Sequence, residues 1–296
     1  MNDNLLVVIA FCVFGFVMGS FVGATVWRLR ARQLREDIKT GEKIAGKDKK
    51  QVIHIKNMHF TEDRSVCLHC GHRLVWYDLI PVISWIGLGG KCRYCHKKIG
   101  IVEPLLEIGM AIFFVVSYIF WPLPLLSSYD IVRFVLWLVS GIGVAILAVY
   151  DVKWFLLPNR IVYPLIGIGI VNTLVVLAQN NFTLSTIYSI VYACIILSGL
   201  YLMLYIVSSH KWVGFGDVKL GFFLALMLAN WKLALLTLFL ANAIGTLIVV
   251  PLLILGKLDR GAHIPFGPLL IAGWMISSIF GERIINLYLS IVLGVA

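Results

Sequence analysis

Long apolar runs separated by short polar breaks dominate the chain. Leu5 to Trp27 is the first, and others cover roughly 103–121, 130–150, 159–178, 184–208, 218–229, 232–255 and 266–295. A helix needs about 20 consecutive apolar residues to cross the hydrocarbon core of a bilayer. The pattern predicts an all-α polytopic membrane protein with about eight transmembrane helices. Two runs are irregular: 218–229 is short, and Gly281-Glu282-Arg283 interrupts the last. In the first run Gly15, Gly19 and Gly23 are spaced by four. Such a stripe of small residues lets another helix approach closely.

Polar residues concentrate between the first two runs. Residues 28–100 hold 16 of the 25 lysines and arginines. The expected organisation is a first transmembrane helix at 1–27, a small cytoplasmic segment at 28–102, and a transmembrane core at 103–296. From Arg30 to Lys56 the chain is rich in charge and poor in apolar residues, which predicts a helix leaving the membrane and then a mobile insertion. These charges read as a solvated face near anionic lipid. No positive residue precedes Leu5, whereas Arg28, Arg30, Arg32 and Arg35 follow the first run. The run therefore reads as a retained anchor with its N-terminus outside and the next loop cytoplasmic. Alternation then places Lys153, Arg160, Lys211, Lys219, Lys257 and Arg260 inside, and only Arg133, Lys232 and Arg283 outside. That asymmetry is the one expected of a membrane protein.

Composition agrees. The chain is 60% hydrophobic and 14% charged, with a net charge of +10 and a mean hydropathy of +0.93. Soluble domains run near a quarter charged. No basic run is interleaved with aromatics, so the positive charge reads as topology and lipid contact, and no nucleic acid is expected as a partner.

Six cysteines divide into two groups. Cys12 and Cys194 lie in apolar runs and read as small hydrophobes. Cys67-Leu68-His69-Cys70 and Cys92-Arg93-Tyr94-Cys95 give the spacing Cys-x2-Cys-x21-Cys-x2-Cys. Two such knuckles place four thiolates around one tetrahedral ion, and Zn²⁺ suits that set. Disulfides are the alternative, but the cytoplasmic side keeps thiols reduced. Four thiolates leave no open coordination position, so the predicted role is structural. His69, His72 and His96 are nearby and read as surface residues, with substitution for a cysteine ligand as the alternative.

The remaining chemistry lies in two acidic residues at run boundaries. Asp217 stands in Val213-Gly214-Phe215-Gly216-Asp217-Val218-Lys219-Leu220, and Asp151 in Tyr150-Asp151-Val152-Lys153. Ionisable groups at membrane depth are costly and mark functional sites. Alternation puts both on the cytoplasmic side at similar depth. Two carboxylates sharing a water satisfy an aspartic peptidase: one draws a proton from the water, the other hydrogen-bonds the scissile carbonyl. Helix polarity predicts Asp217, at a helix N-terminus, as the ionised base and Asp151, at a C-terminus, as the acid. The bland readings are a helix N-cap for Asp217 and a solvated interfacial residue for Asp151. A proton-coupled transporter using both as relay groups is the rival class, and a zinc-bearing assembly scaffold is a third. Glu103 and Glu107, one turn apart, either line the site or favour a helix N-terminus. Pro265-Phe266-Gly267-Pro268 reads as a loop shaping the cytoplasmic mouth, without chemistry. Pro158-Asn159 is expected to end one turn and start the next span.

These residues resemble the type IV prepilin peptidase family, the GxGD membrane aspartic proteases. The likeness runs from Gly19-Ser20-Phe21-Val22-Gly23 through the two cysteine pairs, with Trp76 to Trp85 and Gly90-Lys91 between them. It continues through Glu103-Pro104-Leu105-Leu106-Glu107 and Asp151 with Leu157-Pro158-Asn159. It ends on Gly214-Phe215-Gly216-Asp217-Val218-Lys219-Leu220 and Pro265-Phe266-Gly267-Pro268. The resemblance implies Asp151 and Asp217 as catalytic residues in the bacterial inner membrane. It implies prepilins or pseudopilins as substrates, cut after a glycine and before a hydrophobic residue. It also implies methylation of the new N-terminus with S-adenosylmethionine as methyl donor, for which no binding residues are singled out and no Gly-x-Gly-x-x-Gly is present. Glu103, Glu107 and Asp259 are candidates to meet the basic leader. The charged insertion before Cys67 is longer than the family's usual one.

Overall fold

The computed structural model describes residues 2–41, 65, 67, 69–209, 211–257 and 264–294. Residues 42–64, on which the expected insertion before Cys67 falls, and Asp259 and Arg260 lie outside the described residues. The described secondary structure is helical, apart from isolated bridge residues: Lys91 paired antiparallel with Lys98, and Arg73. The chain divides into two compact units, Met1–Tyr118 and Ile119–Ala296.

In the first unit, α1 (Asn2–Thr40) is a single helix that continues well past Trp27, as the charged stretch predicts. A one-turn 3₁₀ helix (Trp76–Leu79), the short α2 (Ile83–Gly87) and α3 (Val102–Phe120) follow. The glycine stripe sets the packing of α1 on α3. A Cβ on Gly15 or Gly19 would land on the backbone of Ala111 or Glu107, whereas Gly23 has only the Leu106 side chain within van der Waals range. Phe11 stacks on Tyr118 with ring centroids 4.9 Å apart.

Glu103 and Glu107 are anchors between parts of this unit. Trp27 Nε1 donates to Glu103 Oε1 at 3.1 Å. The Val82 amide donates to Glu107 Oε2 at 2.7 Å. Val82 has φ +59° and ψ −46°, the centre of a tight turn that the Ile83 amide closes on the Pro81 carbonyl, a positive-φ backbone that a β-branched residue adopts only under strain. The buried Glu107 carboxylate holds that turn in place. Glu107→Ala is therefore expected to lower stability by about 2 kcal/mol, the scale of a lost hydrogen bond to a charged group. Limited proteolysis between α2 and α3 should then accelerate; an unchanged cleavage pattern would show that the turn holds itself.

The second unit contains α4 (Ser128–Trp154), α5 (Asn159–Gln179), α6 (Leu184–Val207), α7 (Phe215–Leu228), α8 (Trp231–Ile254) and α9 (Gly267–Leu293). Its core surrounds α7. Trp137 and Trp274 lie 4.4 Å apart between centroids, with Phe223, Leu220, Leu224 and Leu270 fully buried beside them. Asn172 on α5 donates through Nδ2 to the carbonyls of Leu226 and Met227, both at 3.0 Å. These are carbonyls of the last turn of α7, which no intrahelical amide reaches.

Seven described helices are long and apolar enough to cross a membrane. The expected eighth, 218–229, corresponds to α7, which has 14 residues and rises only about 21 Å against a hydrocarbon core of about 30 Å. From Leu220 to Leu228 every residue but Phe222 is buried, so the hydrophobicity of that stretch reflects enclosure by protein. The expected break at Gly281-Glu282-Arg283 does not occur, and α9 is continuous. Gly281 instead lets α9 approach Leu233 and Leu236 of α8. Outward faces are apolar: Leu247, Ile254 and Ile291 are at least 74% exposed, a surface matched to lipid and not to water. The protein is a multi-pass membrane protein.

Candidate active site and metal centre

Asp151 occupies the last turn of α4. The helix stops because Phe155 turns left-handed, at φ +55°, and its amide closes on the Asp151 carbonyl at 2.8 Å. Leu157 and Pro158 then lead into α5, whose N-cap position is Pro158. The sequence expectation for Pro158-Asn159 matches this turn. The Asp151 side chain is 6% exposed. Its Oδ2 accepts the Gly267 amide at 3.1 Å. A Cβ on Gly267 would sit 2.7 Å from that oxygen and 3.6 Å from Leu220 of α7. Gly267 is thus the place where α9 begins against both α4 and α7.

Asp217 lies in the first turn of α7. The N-cap residue is Gly214, extended at φ −77° and ψ 148°, so Asp217 is not itself the cap. Its amide closes on the Gly214 carbonyl at 3.1 Å, and its carboxylate turns back toward the Gly214 amide, the geometry of an acidic residue three positions into a helix. Gly216 gives the turn its clearance: a Cβ there would press on Leu157 at 3.0 to 3.1 Å. Lys219 ties the same turn to α5, donating to Asn159 Oδ1 at 2.8 Å and to Tyr163 Oη at 3.3 Å. Leu157-Pro158-Asn159 and Gly214-Phe215-Gly216-Asp217 therefore interlock. Asp151 and Asp217, 66 positions apart in the chain, are thereby drawn toward one place: Gly267 binds Asp151 and lies against Leu220, one turn after Asp217 on α7.

The loop before α9 was expected to shape a mouth and nothing more. The structure adds a direct contact, because the Gly267 amide donates to Asp151. The signal in the sequence was a glycine between two prolines, a residue type and setting that fix a close backbone approach, but the partner was not legible.

In the first unit the sulfurs of Cys67, Cys70, Cys92 and Cys95 all lie within 4.8 Å of one another, with Cys67 and Cys95 Sγ at 3.9 Å. Four thiolates about 2.3 Å from a central Zn²⁺ stand about 3.8 Å apart, so the donor set fits the ion. The two knuckles repeat one turn. Cys67 donates its amide to the His72 carbonyl and Cys92 to that of Lys97, both at 2.9 Å; Gly71 and His96 donate back to the Cys67 and Cys92 carbonyls, also at 2.9 Å. Gly71 and His96 both have positive φ, +70° and +55°. Burial pushes the Cys67 thiol up to about 12. Burial also acts to raise Cys92, but the Cys95 and Tyr94 amides and the neighbouring thiols outweigh it and bring it down to about 7. Among the described residues the cluster is these four cysteines. His72 stacks on Tyr94, and His96 serves as the left-handed turn residue.

Known proteins resolve the class. Residues 13–121 match the bacterial peptidase A24 N-terminal domain, and residues 134–250 match the type IV leader peptidase family. A relative from Pseudomonas putida, a prepilin leader peptidase/N-methyltransferase, is 30% identical over 280 residues, covering 92% of this chain and 90% of its own. The chain belongs to the type IV leader peptidase family. The Pseudomonas aeruginosa prepilin leader peptidase/N-methyltransferase is 28% identical over 296 residues, spanning 97% of this chain and 95% of its own. A Vibrio cholerae relative of the same name is 30% identical over 223 residues, 72% of this chain and 74% of its own. No solved structure matches the chain. The leader peptidase match contains both Asp151 and Asp217. Gly267 lies beyond its end, although it touches one of them.

Proposed function

We propose that this protein is a membrane aspartic endopeptidase that removes the leader of type IV prepilins or pseudopilins at the cytoplasmic face, and then methylates the new N-terminus. The observation that carries the peptidase is the meeting of the end of α4, which bears Asp151, with the start of α7, which bears Asp217, around Gly267 and Leu157 in a chain of the leader peptidase family. Asp151 and Asp217 together activate one water. One carboxylate takes a proton from it as the oxygen attacks the scissile carbonyl carbon; the other gives a proton to the carbonyl oxygen. Asp151 sits at the C-terminus of α4 and also at the N-terminus of α9, which reaches it through Gly267, so helix polarity alone does not separate base from acid. The pair is therefore assigned as one unit sharing one proton.

The substrate suits this position. A prepilin carries a basic leader before an apolar helix, which puts the bond to be cut at the headgroup level. A glycine before the bond weakens the helix there and frees an extended peptide for attack. The three-part organisation expected from the sequence is retained in this reading, as are an outside N-terminus and placement in the bacterial inner membrane. The four cysteines hold Zn²⁺ in a structural role, which stabilises a segment with little core of its own. S-Adenosylmethionine supplies the methyl group. Asp78 Oδ2 and Glu103 Oε2 are buried carboxylate oxygens with no hydrogen-bond partner among the described residues, acceptors of the kind its ribose hydroxyls require.

The test is purified protein in detergent with a full-length prepilin, read by mass spectrometry. The expected product begins at the residue after the leader glycine and gains 14 Da per methyl group when S-adenosylmethionine is added. Ion flux by reconstituted protein, with no cleavage, would favour the transporter class instead. The metal role is tested separately. Cys92→Ser is expected to take bound zinc from about one per chain to none and to lower the melting temperature by several degrees. Stoichiometric zinc and an unchanged melting temperature would remove the structural role.

A further inference from the structure

One buried polar atom of the second unit lies beside the acidic pair and has no assigned part. Tyr201 on α6 is 4% exposed, and its hydroxyl is buried with no hydrogen-bond partner among the described residues. Its ring packs against Phe266 at 5.4 Å between centroids. Phe266 is the N-cap residue of α9, immediately before the Gly267 amide that binds Asp151. Ser198, one turn before Tyr201 on α6, donates to the Val218 carbonyl, next to Asp217 on α7. Tyr201 therefore touches the segment that holds one acid and stands one turn beyond a contact made beside the other.

The local structure explains how it arrives there. Residues Ile195–Gly199 of α6 form a π turn. One extra residue in a helical turn rotates everything after it by about 100°. At this turn Ser198 donates through Oγ to the Val218 carbonyl of α7 at 3.0 Å, and Gly221 lies against the Leu197 carbonyl. Beyond it, Tyr201 turns inward, and Tyr205, one turn later, packs its ring on Phe215 at 5.4 Å. Such turns recur at functional sites. Packing alone asks only for a phenyl ring at position 201, and an unpaired hydroxyl in that place is a standing cost.

We propose that Tyr201 is a positioning residue for Asp217, donating its O–H to the Asp217 carboxylate when the pair holds its water. This rests on the reading of Asp151 and Asp217 as the catalytic pair. In the present arrangement Asp217 Oδ2 is turned toward Gly214, 3.6 Å from where a Cβ on that residue would stand. A carboxylate that leaves the Gly214 amide to share a water with Asp151 gives up a donor. Tyr201 is the buried donor that replaces it and fixes the carboxylate in the working direction. No bond to Tyr201 forms or breaks, and its proton stays on the phenolic oxygen.

Tyr201→Phe keeps the ring and removes the hydroxyl. With a prepilin substrate, kcat should fall about tenfold, the rate equivalent of one such hydrogen bond. KM should stay within about twofold, because the hydroxyl acts through Asp217 and not on the substrate. The melting temperature should be equal or higher, because an unpaired buried hydroxyl has gone. An unchanged kcat overturns the proposal. So does a rise in KM at constant kcat, which would make Tyr201 a substrate contact. So does a loss of kcat accompanied by a lower melting temperature, which would make the hydroxyl part of the fold. Asp217→Asn assayed alongside separates the two levels. If that variant still cleaves, the catalytic pair fails and the role of Tyr201 with it; if it is inactive while Tyr201→Phe cleaves normally, only the role of Tyr201 fails.

Discussion

Asp151→Asn and Asp217→Asn should each reduce prepilin cleavage by about 10³-fold or more while leaving the protein folded. The amide has the size of the carboxyl but can neither take a proton from water nor give one to a carbonyl oxygen. General acid–base steps of this kind are each worth about 10²- to 10⁴-fold. Both side chains are positioned by backbone features the substitution does not touch: the left-handed Phe155 that ends α4 and the Gly214 cap of α7. Stability should be retained or rise, because two acids held close together repel when both ionise and functional acids are often kept at such a cost. The checks are initial cleavage rates by mass spectrometry and melting temperatures in the same detergent. A variant that loses cleavage only because it unfolds would leave α4 and α7 in need of these acids for structure, contrary to the geometry.

Gly267→Ala should be the most damaging substitution outside the acids themselves. The added methyl would lie 2.7 Å from Asp151 Oδ2, well inside van der Waals contact. Either Asp151 swings away or α9 withdraws, and in both cases the 3.1 Å hydrogen bond from the Gly267 amide is disturbed. A displacement of about 1 Å at a reacting group can cost about 10²-fold in rate, and overpacking of this kind costs about 1–3 kcal/mol of stability. The expected result is a cleavage rate down by about 10²-fold with a modest fall in melting temperature. Full activity in Gly267→Ala would show that Asp151 does not depend on the start of α9 for its position.

Charged residues and the paired cysteines were legible in the sequence because they stand out against an apolar chain. Asp151 and Asp217 border hydrophobic runs, and the two cysteine pairs carry a spacing few other arrangements explain. The alternation of the runs also put both acids at the same end of the bundle. Partners were much harder to see. Gly267, Tyr201 and Asn172 act through a backbone amide, an unpaired hydroxyl and two helix-end carbonyls, and none of these is visible until the helices meet. The same limit explains α7: a run of apolar residues looks alike whether lipid or protein covers it, so a short enclosed helix was expected as a span. Gly281-Glu282-Arg283 looked like a break because charge and glycine usually end a span, whereas here the glycine lets α9 lie close to α8. Glu107 was ambiguous for a related reason. A carboxylate at a helix start suits the helix dipole, but its use is to hold the strained amide of Val82.

The central claim is that Asp151 and Asp217 work as one unit on one water. Its most direct test is the cleavage rate of Asp151→Asn/Asp217→Asn beside the two single variants, with long incubations to measure the residual rate. Residues acting as a unit are not additive, so the double variant should be no slower, within about threefold, than the slower single one. Losses that multiply, or a single variant that keeps cleaving at near the wild-type rate, would contradict the shared site.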